Sequence, residues 1–405
     1  MPVAHQPVRG DTRDRNSRAG RDLPMPLKDR SAFTNTARIR ECIARAELDA
    51  VLAVQAENVI YCSGFYNFDL RTLPDRMCIA LWPREGEPVF IVPDRRAASD
   101  GAMTFINDMR GYKLLDGVFN PYPMEMVAEA LTEKGLARGR IGFEALYLPG
   151  WHERELQRRL PNAQLVSCDY VFDEIRMVKT PAEIEQLRFA AVQTEKAIAN
   201  AYELARPGDT EKDTVDRMGY AVTRLGADIV AFNVFASGPR TPLGHHLAED
   251  VPMQYGDIIR VDYGASFDGY FSDLVRMAVI GPPSARQDRV YRSLAAGQRE
   301  VVDALRVGQS MREIAEMMQT IQRRHLPDNL PVHGFGHCIG LGVHDRPFIT
   351  VDEERLLEPG MTMMIEHLVT DGGECYHVED LIVMREYGAE LLSTYTDTSS
   401  MYVIE

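Results

Sequence analysis

The stretch DIIRVDYGASFDGYFSDLVRMAVI, residues 257–280, contains two strand-like runs separated by the four turn residues 266–269. If the hairpin is centred on these four residues, position i pairs with position 535 − i, and Asp262 lies opposite Asp273. Like charges directly opposite each other destabilise a sheet, so a purely structural hairpin does not explain this pair. A bulge that shifts the register by one residue is the alternative, and it would turn one aspartate to the other face.

A second stretch has the same form. It reads MTMMIEHLVTDGGECYHVEDLIVM, residues 361–384, with Gly372-Gly373 at the turn. Position i then pairs with position 745 − i, and Glu366 lies opposite Glu379. Two hairpins that each present facing acids indicate a shared cation. Four carboxylates in a half-buried site repel one another, and divalent cations remove that cost.

A glycine-rich stretch, HGFGHCIGLGVHDRP at residues 333–347, holds three of the ten histidines. His333 and His337 have the four-residue spacing of a helical zinc pair, but four glycines, each costing a helix ~1 kcal/mol, argue against a helix. A glycine-rich backbone can instead approach closely and place His337 beside the four acids. A hydrogen-bonded core histidine is the structural alternative. Mixed carboxylate and imidazole ligands suit Mn, Fe, Co or Zn better than Ca or Mg.

The bulk composition is that of an ordinary globular protein. A chain of 405 residues exceeds the ~250–300 residues that one core supports, which predicts two domains. The net charge of −15 disfavours nucleic acid and anionic membrane surfaces as partners, and no run reaches the ~18 apolar residues that span a membrane. Six scattered cysteines without a CxxC pair are typical of reduced thiols, hence of a cytoplasmic protein. Residues 1–30 lack an apolar run and are expected to form a flexible tail.

The remaining chain divides at a helix start. Helix and strand patterns alternate over residues 31–175, which predicts an α/β domain. The stretch KTPAEIEQLR opens a second domain, residues 176–405, with a capping box formed by Thr180 and Glu183. This domain contains two halves, each a helix pair with a hairpin, and the pattern predicts an α+β fold with pseudo-two-fold symmetry.

The motifs of the second domain resemble those of the pita-bread metallopeptidases, which include methionine aminopeptidase, prolidase and aminopeptidase P, with creatinase as a metal-free cousin. The matching residues are Asp262 and Asp273 in VDYG…GYFSD, His337 in GHCIGLGVHD, Glu366 in EPGMTMMIE and Glu379 in VED. The resemblance covers nearly the whole chain, because the first domain is similar to the creatinase N-terminal domain. The two-domain form favours the Xaa-Pro dipeptidase and aminopeptidase P branch.

The resemblance implies two divalent metal ions, with Mn expected first and Zn, Co or Fe also compatible. By motif position, Asp262 would chelate one ion, and His337 with Glu366 would chelate the other. Asp273 and Glu379 would bridge the two. A water activated by both ions would be the nucleophile, and Glu366 would transfer its proton.

The resemblance also assigns histidines to the substrate. His245 in SGPRTPLGHH, together with His333 and His344, matches the histidines that line the family's cleft. His245 and His344 are expected to be catalytic, donating hydrogen bonds to the substrate carbonyl and to the developing oxyanion. His377 is expected to contact substrate.

Three departures from the family pattern bear on specificity. Gly244 and His367 replace prolines and His377 replaces an arginine, and all three are expected close to the metals, where they would shape the pocket. The first expectation is a dinuclear, homodimeric hydrolase that cleaves an amide of a small peptide, as an Xaa-Pro dipeptidase or Xaa-Pro aminopeptidase. One alternative is a non-peptide substrate, as in an ectoine-type hydrolase or an osmolyte lyase, although Arg260 stands where that lyase has an acid. The other is a non-catalytic binding protein on the same scaffold.

Overall fold

The computed structural model describes residues 30–67, 69–73, 75–99, 103–115, 119–327 and 330–405. The expected tail, residues 1–30, lies outside the described residues apart from Arg30. The Arg30 side chain is buried and forms an ion pair with Asp268, so this residue is part of the folded protein.

A mixed six-stranded sheet flanked by helices forms the first part of the described chain. Its elements are α1 (Thr36–Arg45), β1 (Ala50–Ala53), α2 (Ala56–Ser63), α3 (Asp69–Thr72), β2 (Ile79–Pro83), β3 (Val89–Pro93), α4 (Asp94–Ser99), β4 (Asp108–Tyr112), α5 (Tyr122–Glu133), β5 (Arg140–Phe143), α6 (Gly150–Arg159), β6 (Gln164–Ser167) and α7 (Asp169–Met177). The strand order is β4-β3-β2-β1-β5-β6. Strand β2 is antiparallel to β1 and β3, and the other pairs are parallel.

A larger sheet with two helix pairs follows. Its elements are α8 (Pro181–Leu204), α9 (Glu211–Arg224), β7 (Ile229–Ser237), β8 (Ile258–Phe267), β9 (Tyr270–Phe271), β10 (Leu274–Val275), β11 (Ala278–Ile280), α10 (Ala285–Ala304), α11 (Met311–His325), β12 (Val332–Cys338), β13 (Asp345–Phe348), β14 (Thr362–Asp371), β15 (Glu374–Arg385), β16 (Gly388–Leu391) and β17 (Tyr402–Ile404). The main strand order is β13-β12-β14-β15-β10-β8-β11-β17. No helix in the described ranges has both the length and the apolar character that crossing a membrane requires.

The two helix pairs are related by pseudo-symmetry, as predicted. The helices α8, α9, α10 and α11 all begin with a capping box, including the predicted one at Thr180. The loop between α8 and α9 is fixed by a 2.9 Å hydrogen bond from Gly208 N–H to the Met253 carbonyl. The loop between α10 and α11 has the same bond, 2.9 Å long, from Gly308 N–H to the Leu357 carbonyl. Equivalent bonds at equivalent positions confirm the α+β architecture.

The register of the first acidic hairpin differs from the prediction. Its turn is the two residues Asp268 and Gly269, and Asp262 pairs with Val275 rather than with Asp273. Both turn residues have positive φ, 53° and 86°, which is the conformation of a type I′ turn and the reason Asp-Gly favours it. The shift is by two residues, so both aspartates keep the same face and become diagonal neighbours.

The second acidic hairpin has the predicted register. Glu366 pairs with Glu379 across a turn at Gly372 and Gly373, both with positive φ. The strand β12 pairs with β14 so that Phe335 lies opposite Glu366. Alternate residues of these strands therefore face the same side as the acids, while the intervening residues pack toward the helices.

Candidate metal centre

Four acids and two histidines converge on one face of the larger sheet. Asp262 lies on β8, Asp273 lies between β9 and β10, His337 is on β12, Glu366 is on β14 and Glu379 is on β15. His344 precedes β13, and its ring centroid lies 4.3 Å from that of His337. Asp273, His337 and Glu379 are each 3–4% exposed, so this cluster is largely removed from solvent.

Within the described residues, the ligand atoms form overlapping groups of three. Asp262, Asp273 and Glu379 can each direct an oxygen so that all three atoms lie within 4.8 Å of one another. His337, Glu366 and Glu379 form a second such group, and Glu379 belongs to both. A third group joins Asp273 and His337 with His344, a residue expected to contact substrate. Groups that share a member can hold more than one cation.

The imidazole of His337 is oriented for a cation. Its Nδ1 donates a 3.0 Å hydrogen bond to the Cys338 carbonyl, which leaves the lone pair on Nε2 free. Nε2 points to the acids, 3.6 Å from Asp273 Oδ2. Burial, together with the neighbouring His344, lowers the pKa of His337 and favours the neutral form that binds metals.

The acids carry unsatisfied acceptors and perturbed pKa values. Asp262 Oδ1 and Glu379 Oε2 are buried without a hydrogen-bond partner among the described residues. Burial raises the pKa of Asp262, and it raises the pKa values of Asp273 and Glu379 well above their usual range, with repulsion from the neighbouring acids adding to the effect. Buried oxygens that lack donors and repel each other fit a site built for divalent cations.

Glu366 differs from the other acids because a histidine contacts it. Burial raises the pKa of Glu366, but the hydrogen bond from His377 and the nearby imidazoles outweigh burial and leave this pKa below its usual value. His377 Nε2 lies 2.9 Å from Glu366 Oε2 and is the donor. His377 therefore holds one carboxylate oxygen of Glu366 and leaves the other available.

The other three histidines expected at the substrate differ in position. His245 and His344 line a cavity of about 940 Å³ that opens onto the acids, and His245 is in the left-handed region with φ of 45°. His333 faces the same side of β12, but the described residues that line the cavity do not include it. Its ring stacks beside Phe335, with 6.4 Å between centroids, at the outer end of the strand.

The side chain of His367 does not face the acids, contrary to expectation. It follows Glu366 on β14, and successive residues of a strand point to opposite faces, so its side chain lies toward the helices. Its Nδ1 forms a 2.6 Å hydrogen bond with Gln298 of α10. His367 lines a separate cavity of about 260 Å³, while Gly244 and His377 line the cavity at the acids.

Several residues were not placed in the cavity from the sequence, and Arg260 was named only as a departure from the lyase pattern. Arg260, Phe335 and Leu368 each lie two residues from a predicted ligand on its strand, so the two-residue period of a strand would have found them. Phe232 fills the space beside Gly264, where a Cβ would collide with its ring. This contact between β7 and β8 has no local sequence signal.

The junction of the two sheets supports the segment that carries His344. Both carboxylate oxygens of Asp345 accept from Nη1 of Arg176, at 2.8 and 2.9 Å, and both residues are buried. Arg176 Nε donates a 2.7 Å hydrogen bond to Asn58 Oδ1, and the Asn58 amide donates a 2.5 Å hydrogen bond to Glu144. A continuous buried polar chain thus runs from the first sheet to the residue after His344.

Comparisons of sequence place both parts of the chain among known families. Residues 185–386 match Metallopeptidase family M24, and residues 36–178 match the Creatinase/Prolidase N-terminal domain. The Xaa-Pro dipeptidase of Pyrococcus furiosus is 31% identical over 229 residues, which are 56% of this chain. The matched region spans 65% of that relative's length.

Solved structures share the fold over most of the chain. The dipeptidase PepE of Mycobacterium ulcerans is 27% identical and superposes with a TM-score of 0.76. The superposition covers 91% of this chain and 96% of the PepE chain. The X-Pro aminopeptidase of Thermotoga maritima is 24% identical with a TM-score of 0.77, covering 91% of this chain and 100% of its own. The latter likeness concerns the fold alone.

Proposed function

The chain belongs to metallopeptidase family M24, and from this membership we propose that it is a dinuclear metal-dependent hydrolase that cleaves the amide bond of a small peptide, with an Xaa-Pro peptide as the first candidate. The single observation that carries the proposal is the pair of three-residue ligand groups that share Glu379. The relative named Xaa-Pro dipeptidase in Pyrococcus furiosus, 31% identical, supports the choice of substrate. A homodimer and a cytoplasmic location are parts of the proposal that rest on family resemblance and on cysteine usage.

The proposed ligands divide between two positions. Asp262 would hold one cation, His337 and Glu366 the other, and Asp273 and Glu379 would contribute to both. The buried, partnerless oxygens of Asp262 and Glu379 and the free Nε2 of His337 fit this arrangement. Bound divalent cations would polarise the substrate carbonyl and make water a stronger nucleophile at neutral pH, and Mn is the first candidate.

The protein's own groups would bind substrate and move protons. Glu366 would hold a cation with one oxygen and use the other to accept a proton and return it to the leaving amine, while the hydrogen bond from His377 fixes the orientation of this carboxylate. His245 and His344 are exposed at the cavity wall, where an N–H can donate to the substrate carbonyl. His333, at the outer end of β12, would contact the distal part of longer substrates.

The cavity and one departure support a second candidate function on the same centre. Phe232, Leu247, Phe335, Val343 and Leu368 give the cavity a largely apolar wall, which suits proline but also other compact molecules. His377 occupies the position of the family's common arginine and contacts Glu366 directly. A hydrolase of a non-peptide amide is therefore the second candidate.

The proposal is tested by metal content and a substrate panel. Protein purified without chelator should contain about two equivalents of transition metal, lose activity on chelation and regain it with Mn. The panel comprises Xaa-Pro dipeptides, longer Xaa-Pro peptides and ectoine-like solutes. Fewer than about one equivalent of metal and no activity after Mn addition would contradict any hydrolase. Turnover of a solute but of no proline peptide would select the second candidate.

A matched pair of variants distinguishes the loss of a metal ligand from the general effect of replacing an acid by its amide. Asp273→Asn should remove metal and activity together. Asp288→Asn, which changes an acid on the outer side of α10 that pairs with Arg292, should alter neither.

A further inference from the structure

Arg260 places a buried cationic side chain in the wall of the cavity at the acids. It lies on β8 two residues before Asp262, so both side chains face the same side of the strand. The residue is 4% exposed, and it lines the cavity of about 940 Å³. A guanidinium in such a position is expensive to bury unless an anion compensates it.

Among the buried arginines that the structure describes, Arg260 alone forms no ion pair. Four arginines are buried among the described residues. Arg30 pairs with Asp268, Arg176 pairs with Asp345 at 2.8 Å, and Arg276 pairs with Glu195 at 2.8 Å. No carboxylate oxygen in the described ranges lies within 4.0 Å of the Arg260 guanidinium. The charge of Arg260 is therefore available to a molecule that enters the cavity.

The hydrogen-bonding capacity of Arg260 is also only partly used. Its Nη2 donates a 2.5 Å hydrogen bond to the Leu243 carbonyl, and its Nη1 lies 3.6 Å from Cys375 Sγ, a weak acceptor. Its Nε is buried without a partner. A guanidinium has five N–H donors, so several donors remain for an oxygen ligand, and a carboxylate accepts them in the strongest geometry.

We propose that Arg260 binds a carboxylate of the substrate, and that the enzyme therefore selects acidic substrates. This inference rests on the proposed hydrolase function of the same cavity. The acids of the centre do not compete for Arg260 once they ligate cations, because their charge is then compensated. The carboxylate has two sources in a dipeptide: the C-terminal group, or the side chain of an N-terminal Asp or Glu.

Arg260 also contacts the loop that carries His245, through the Leu243 carbonyl, and this contact provides the control. Thr241, in the same loop, accepts a 2.9 Å hydrogen bond from Cys375 N–H and is fully buried. Thr241→Val loosens the same loop without changing the charge. If the role of Arg260 is purely structural, Arg260→Gln and Thr241→Val should change the substrate preference in the same way.

The experiment compares matched substrates in the metal-loaded protein. Ala-Pro is compared with its C-terminal amide, and Glu-Pro is compared with Gln-Pro. The wild type should prefer the acid of one pair by on the order of 10- to 100-fold in kcat/KM, and that pair identifies the source of the carboxylate. Arg260→Gln should reduce the preference to about 1, Arg260→Lys should retain part of it, and Thr241→Val should leave it unchanged.

A binding measurement decides the inference even if no peptide is turned over. Titration calorimetry of the metal-loaded protein compares proline with prolinamide, and glutamate with glutamine. A preference for the acid that is present in the wild type and absent in Arg260→Gln supports the inference. A carboxylate that ligates a bound cation also gains affinity, but this gain is the same in the wild type and in Arg260→Gln and does not affect the comparison between them. An equal preference in both proteins, in turnover and in binding, overturns it. Absence of turnover with an Arg260-dependent preference in binding refutes the proposed function alone.

Discussion

Substitution of the proposed shared ligand, Glu379→Gln, should stabilise the metal-free protein and weaken its stabilisation by metal. Glu379 is 3% exposed, and its ligand oxygen lies within 4.8 Å of those of Asp262 and Asp273. Two unit charges 4.8 Å apart repel by about 3.5 kcal/mol at an effective dielectric constant near 20. The amide removes that charge and can donate a hydrogen bond to a neighbouring acid, so we expect a gain of about 3 kcal/mol without metal.

The gain should depend on pH. Burial and the neighbouring acids raise the pKa of Glu379 well above its usual value in the folded protein. Between the unfolded and folded pKa values the folded state binds more protons, so the stability of the wild type falls as pH rises through that interval. The glutamine does not titrate there. The variant's advantage should therefore be larger at pH 8 than at pH 5.

The assay is thermal unfolding of chelator-treated protein, followed by circular dichroism with and without Mn. The wild type should gain about 4 kcal/mol at a metal concentration 1,000 times the Kd, and the variant much less because both cation positions lose a ligand. Glu386→Gln, an exposed acid just beyond β15, is the control and should behave as wild type. A variant that is less stable than wild type without metal, or that Mn stabilises equally, would refute the argument that Glu379 is held for cations.

Three further predictions concern single side chains. Asp273→Ala should abolish activity and lower the metal content, as measured by elemental analysis; full occupancy would argue against its role as a ligand. His377→Arg should change kcat but not the metal content, because His377 holds Glu366 from outside the ligand set; loss of metal would contradict that placement. Arg176→Ala should cost about 3 kcal/mol in urea unfolding, because buried Asp345 then keeps only its longer ion pair with Lys179, 3.9 Å away; a cost below about 1 kcal/mol would mean that Lys179 or solvent compensates Asp345 in full.

Local chemistry explains the parts of the fold that could be predicted. The capping box at Thr180 and the turn at Gly372 and Gly373 depend on residues within a few positions of each other, and both form as expected. The first hairpin was placed two residues out of register because Asp268 and Gly269 alone make its turn. The prediction that its two aspartates share a face survives, since a shift of two residues preserves the alternation of a strand.

The environment of each site residue was harder to predict than its identity. His367 follows a ligand in sequence, yet its side chain bonds to Gln298 on the other side of the sheet. Arg260 precedes Asp262 by two residues and lines the same cavity, yet it forms no ion pair with a carboxylate of the described residues. Strand alternation gives the face on which each side chain lies, but it does not give the partner of that side chain. The partner depends on which helix or strand packs against the residue.

The sequence by itself therefore identified the residues proposed as ligands and the two hairpins that carry the four acids, because strand alternation and turn chemistry act over a few residues. The tertiary structure alone decided that four strands bring Glu379 into two candidate ligand groups and that Arg176 of α7 supports Asp345. It also decided that Arg260 forms no ion pair within the described part of the chain. These properties are distances between groups that are far apart in sequence, and only the packing of the sheets and helices sets such distances.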